Sequence, residues 1–168
     1  MWFDFCTFQT TMKQFVFIFL WFSMSLFSQE SVEAQFIKST EIPLQTIVGI
    51  DNFGVIYLIN DNVFHKIDKD NDVTYSNVQL GKITSANAFN SLKINLFYKN
   101  FNTVIILDNR LAEVYKIDFN TLQPYKNVSH ISTGYDNTLW IFNTDLQQLE
   151  LFDYRANKVR FVTMPIQF

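Results

Sequence analysis

The densest run of hard oxygen ligands in this sequence is Asp68-Lys69-Asp70-Asn71-Asp72. Alternating carboxylate and amide oxygens can open a calcium loop, because a hard cation takes several oxygen ligands. Such a loop wants glycine at its sixth position and glutamate at its twelfth. Here those positions hold Val73 and Gln79. Asp68, Asp70 and Asp72 are therefore a weak metal candidate, and a solvated hairpin turn is the expected reading. The two histidines offer less. His65 sits in Val63-Phe-His-Lys-Ile67 and His130 in Val128-Ser-His-Ile-Ser132, with no metal-type spacing between them. Gly49, Gly54, Gly81 and Gly134 are isolated, so no glycine-rich phosphate loop is present. There is no G-x-S-x-G elbow. No catalytic constellation is found, and neither enzymatic activity nor a cofactor is expected. Asn127-Val-Ser129 matches the N-glycosylation pattern, which matters only in a host with that machinery.

The elements that would position any site are strands. Helical periodicity with caps is absent. Short segments rich in Val, Ile, Phe, Tyr and Thr alternate with Asn, Asp and Gly, which supply turns. The predicted strands are Leu44–Ile50, Val55–Asn60, Val63–Asp68, Val73–Val78, Ile94–Tyr98, Thr103–Leu107, Glu113–Asp118, Val128–Thr133, Thr138–Asn143, Gln148–Asp153 and Val159–Thr163. Regular short strands of this kind point to a propeller, a sandwich or a barrel.

Internal similarity separates these. Thr103–Asp118 aligns with Thr138–Asp153 without a gap, and Val55–Asp68 is a shorter copy. Each is a strand, a turn, a second strand and a closing aspartate. The residues Asp51-Asn-Phe-Gly-Val-Ile-Tyr57 and, more loosely, Gly134-Tyr-Asp-Asn-Thr-Leu-Trp140 resemble strand openings in YWTD-, NHL- and sensor-type β-propeller blades. The overall style is similar to secreted propeller-like proteins of Gram-negative bacteria. The resemblance covers roughly residues 44–163 and brings no catalytic residues with it.

The fold class expected is therefore all-β, with antiparallel propeller-like blades. About three fit, at residues 44–78, 92–127 and 128–163. Closed propellers usually have four to eight. The ring is expected to be incomplete: a piece of a longer propeller or, alternatively, half of a dimer. A β-sandwich or open barrel is the other architecture. An incomplete ring also leaves blade edges through which copies could self-associate.

Propellers bind through loops at the mouth of the channel, as the resemblance implies. The matching loops give Asp51, Asn52, Asn102, Tyr135, Asp136 and Asn137 as the candidate binding face. Tyr57, Phe97, Tyr98, Trp140, Phe142 and Phe152 are expected to fill space between blades. The function expected is a binding or scaffold module for a protein or carbohydrate partner. The alternatives are a cation-dependent hydrolase of the propeller lactonase or lyase kind, or a fragment with no function of its own. With a net charge of -3 there is no basic excess to suggest nucleic-acid binding.

The amino-terminal segment reads as an address. Phe15–Phe27 carries no charge, is shorter than the roughly 20 residues of a membrane span, and fits the about 7–15 of a secretory core. Met12 and Lys13 supply a start and a positive charge, and Ser28-Gln29 a polar exit. Residues 12–29 are thus expected to be a signal peptide, residues 1–11 a spurious extension, and residues 30–168 the exported domain. No stable membrane insertion is expected after cleavage. Cys6, the only cysteine, would be lost with the leader, which excludes disulfides from the exported domain.

Overall fold

The structure is a computed structural model and describes residues 46–69 and 71–166. The expected signal peptide, the extension before it and Asp70 lie outside the described residues. Among the described residues twelve strands form three four-stranded antiparallel sheets, each in simple up-and-down order. Blade 1 comprises β1 (Thr46–Ile50), β2 (Ile56–Asn60), β3 (Val63–Asp68) and β4 (Asn71–Tyr75). Blade 2 comprises β5 (Ser85–Asn87), β6 (Ile94–Tyr98), β7 (Thr103–Leu107) and β8 (Glu113–Asp118). Blade 3 comprises β9 (Val128–Thr133), β10 (Thr138–Asn143), β11 (Gln148–Asp153) and β12 (Lys158–Val162). The all-β, blade-by-blade architecture expected from the sequence is present.

The blades stack face to face, and strand alternation explains how. On β6 and β7, Ile94, Leu96, Tyr98, Ile105 and Leu107 pack toward Tyr57 and Phe64 of blade 1. On the same strands, Phe97, Val104 and Ile106 pack toward Leu139, Ile141 and Phe152 of blade 3. Both strands are therefore buried throughout, as an apolar run with two covered faces should be. Each fully buried large side chain contributes about 1.5–3 kcal/mol. An edge-on contact between Phe119 and Phe152 closes the second core. Trp140 and Phe142 are the exceptions among the expected fillers: both are half-buried and share the face of β10 opposite Leu139 and Ile141, with Trp140 edge-on to Phe161.

The strand expected at Val73–Val78 runs instead over Asn71–Tyr75, and two larger details differ from the sequence reading. Strand β5, Ser85-Ala-Asn87, was not expected, because these residues have little intrinsic strand preference. It forms by pairing with Phe97, Leu96 and Asn95 of β6. The repeat is also one strand out of step. Thr103–Asp118 is the third-and-fourth-strand hairpin of blade 2, whereas Thr138–Asp153 is the second-and-third-strand hairpin of blade 3. Any antiparallel hairpin with one buried face shows the same alternation, so hairpins match without being equivalent. The blade, not the hairpin, is the repeating unit.

Candidate functional site

The up-and-down order fixes two ends. Turns from first to second strand and from third to fourth strand lie at one end, here called the upper. Turns from second to third strand and the crossovers between blades lie at the lower end. Asp51 and Asn52 belong to the upper end of blade 1, and Tyr135, Asp136 and Asn137 to the upper end of blade 3. Asn102 follows β6 and lies at the lower end. The structure thus brings five of the six expected binding residues to one end and separates the sixth from them.

The chemistry of Asn102 explains its place. Its backbone is left-handed, with φ of 48°. Its Oδ1 accepts from Val128 N, and its Nδ2 donates to Lys126 O and to Asn120 Oδ1. The side chain is buried and fastens blade 2 to the crossover that leads into blade 3. It is a clasp, not a surface for a partner.

The blade-1 loop is built around Asp51. Its Oδ1 accepts from Phe53 N at 2.9 Å and Val55 N at 3.0 Å, and its Oδ2 accepts from Tyr57 O–H at 3.3 Å. Gly54 closes the turn with φ of 82°, a conformation that costs a residue with a Cβ. Burial raises the pKa of the Tyr57 hydroxyl, and the Asp51 charge and hydrogen bond raise it further. The tyrosine therefore stays a neutral donor to the carboxylate.

The equivalent loop of blade 2 follows β5. Asn87 Oδ1 accepts from Phe89 N, two residues on, as Asp51 accepts from Phe53 N. Phe53 is 91% exposed, Phe89 94% and Tyr135 59%. Each of the three upper first-to-second-strand loops therefore presents an aromatic side chain to solvent. Phe89 was not anticipated from the sequence; the signal available was the shared pattern of an Asn or Asp with Phe two residues later.

Between the first strands of blades 1 and 2 lies a cavity of about 420 Å³. Val48, Gly49, Ile50, Asp51, Asn52 and Tyr57 line one side, and Ala86, Asn87, Ala88 and Phe89 the other. Among the described residues of that lining Asp51 is the sole carboxylate, and there is no basic side chain. The blade-3 loop is tied to this rim by Lys93, whose Nζ donates to Asp136 O. Arg160 lies 5.9 Å from the Tyr135 ring centroid and donates from Nε and Nη2 to Asp153 Oδ2. Backbone bonds from Ala156 and Arg155, together with Arg160, hold the Asp153 carboxyl below the usual carboxylate range despite its desolvation.

Of the weak metal candidate, Asp70 lies outside the described residues. Asp68 ends β3, while Asp72 pairs with His65 Nδ1 at 3.0 Å. Among the described residues no group of three His, Cys, Asp or Glu side chains is placed to hold a metal. His130 Nδ1 is within 3.0 Å of Ser129 Oγ. Among the described residues no helix is long and apolar enough to cross a membrane.

Comparison with known proteins places this geometry in a fold. The chain resembles a virginiamycin B lyase from Staphylococcus aureus solved with quinupristin, at TM-score 0.55 and 13% identity, over 79% of this chain and 46% of that one. It resembles a streptogramin B lyase at TM-score 0.53 and 10% identity, over 73% and 41%. It also resembles apo AztD from Citrobacter koseri at TM-score 0.51 and 7% identity, over 79% and 39%. These are β-propeller proteins, and the chain has a β-propeller-like repeat fold. It spans less than half the length of each. No family profile and no curated protein matches the sequence.

Proposed function

We propose that the chain is an exported binding or scaffold module of the propeller type. In this reading the upper end receives a protein or carbohydrate partner. The observation that carries it is the arrangement at that end. Three equivalent loops project exposed aromatics at that end, and a cavity with two asparagines in its lining lies between blades 1 and 2. Exposed aromatic side chains on loops held by a rigid scaffold are characteristic of recognition surfaces. A lyase or hydrolase would need several carboxylates or histidines converging on one cavity. Among the described residues the lining carries Asp51 alone, and its oxygens accept three bonds within its own loop and β2. That supports binding over chemistry.

The test is a photo-reactive benzophenone side chain placed at Asn52 in the full-length chain, expressed in the producing cell. A second version carries it at Asn100, exposed at the lower end. Illumination is expected to yield a heavier adduct from Asn52 and not from Asn100. Equal adducts from both positions, or none from Asn52, count against the proposal. Amino-terminal sequencing of the same product tests export, which predicts a first residue near Gln29.

A further inference from the structure

The lining of the upper cavity narrows the class of ligand, and this inference rests on the binding-module reading above. We infer that the cavity between β1 and β5 is a subsite for a chain of neutral hexopyranose units. Four features point there. First, the described residues of the lining include no lysine or arginine, so among them an anionic phosphate or nucleic acid finds no counter-charge. Second, its one carboxylate already accepts from two backbone amides and a tyrosine hydroxyl, and no second carboxylate among the described lining residues joins it to hold a cation. Third, the amides of Asn52 and Asn87 face the same cavity. Asn52 is exposed, and Asn87 uses its oxygen on Phe89 N while its amino group remains to donate. Amides both donate and accept, which suits hydroxyl groups. Fourth, Phe89 lines the cavity, and Phe53 stands next to Asn52 on the facing loop.

A hexopyranose combines these needs. Its ring presents a face of C–H bonds that packs on an aromatic π surface, and an edge of hydroxyls that bonds to amides. A purely apolar peptide anchor would leave both asparagine amides without partners, at a cost for each desolvated group. The cavity, about 420 Å³, falls in the size range of small-ligand sites.

The experiment is saturation-transfer NMR on the full-length chain with cellohexaose, chitohexaose, maltohexaose and mannohexaose. Saturation of the aromatic protons is expected to transfer to the ring C–H protons of at least one oligosaccharide. The Phe53→Ala/Phe89→Ala double variant is expected to weaken that binding about tenfold or more. Both side chains are over 90% exposed, so the variant keeps its thermal midpoint. Phe101→Ala, at the lower end, is expected to bind as the parent does. No transfer from any of the four sugars, or undiminished transfer in the double variant, overturns the inference. The two readings fail separately. A protease-sensitive adduct at Asn52 with no sugar binding removes the carbohydrate assignment and leaves the module. Absence of both an Asn52 adduct and sugar transfer removes both.

Discussion

The ammonium of Lys126 donates to Glu150 Oε2, and both side chains are buried, at 8% and 1% exposure. Lys126 lies in the crossover between blades 2 and 3, and Glu150 in β11 of blade 3. Asn143 Nδ2 and Gln148 Nε2 donate to the other carboxylate oxygen. A carboxylate in that position is tolerable only because all of these donors are present. Lys126→Met leaves the charge buried with amides alone. We expect a loss of about 3–5 kcal/mol in urea unfolding. Lys126→Met combined with Glu150→Leu is expected to recover much of it, since no unpaired charge then remains. A double variant as unstable as Lys126→Met shows that the crossover's packing, not the charge, sets the cost.

The same group gives a pH dependence of known sign. Burial pushes the Glu150 carboxyl up, but the hydrogen bonds from Lys126, Asn143 and Gln148 outweigh it. The folded-state pKa falls below its ordinary value of 4.5. Its contribution is therefore complete above the unfolded value and is lost as pH falls through the folded one. Asp108 and Asp153 are lowered too, mainly by backbone bonds from Ala112 and Ala156, and act in the same direction. Urea midpoints should fall between about pH 6 and about pH 3. The fall should be shallower for Glu150→Gln than for the parent, although that variant starts less stable. Parallel curves would exclude Glu150 as a source of the acid sensitivity.

Gly134 is a steric requirement at the mouth of blade 3. A Cβ there would lie 2.4 Å from Thr138 Oγ1 and 2.9 Å from the Thr138 carbonyl oxygen. The Gly134 amide donates to that same carbonyl. Gly134→Ala must therefore open the β9–β10 loop, at a cost of about 1–3 kcal/mol for overpacking. Denaturation should show that loss, and amide exchange should speed up at Thr138. Gly49→Ala meets nothing within 4 Å and serves as the silent control.

Most strands were legible because their residues alternate against a packed face. Thr138–Asn143 and Glu113–Asp118 match the sequence reading at both ends. What escaped was what tertiary contact imposes. Ser85–Asn87 carries no strand signal of its own and is recruited by β6. Lys126 and Glu150 sit in unrelated local patterns, 24 residues apart, so no periodicity announces their pairing. The binding face was partly legible for a related reason. Asp51, Asn52 and Tyr135–Asn137 sit in upper-end turns, but turn composition alone does not tell upper from lower. Asn102 therefore entered the group with a turn matched to the other two, and the phase of its hairpin places it at the opposite end.

Asn102 is where that distinction can be measured. Its side chain satisfies Val128 N–H and the Lys126 carbonyl in a buried site. Asn102→Gly keeps the left-handed backbone without strain but removes both bonds. Each orphaned group costs about 1–3 kcal/mol, so unfolding should detect the change at once. Asn102→Ala removes the same bonds and adds the penalty of a Cβ at positive φ, about 1 kcal/mol beyond glycine. The order of stability should be parent, then Gly, then Ala. Benzophenone adducts from Asn52 should form equally well in all three under folding conditions, because the clasp lies at the other end. A glycine variant as stable as the parent would reduce Asn102 to a backbone requirement. Lost Asn52 adducts in a folded variant would instead link the two ends.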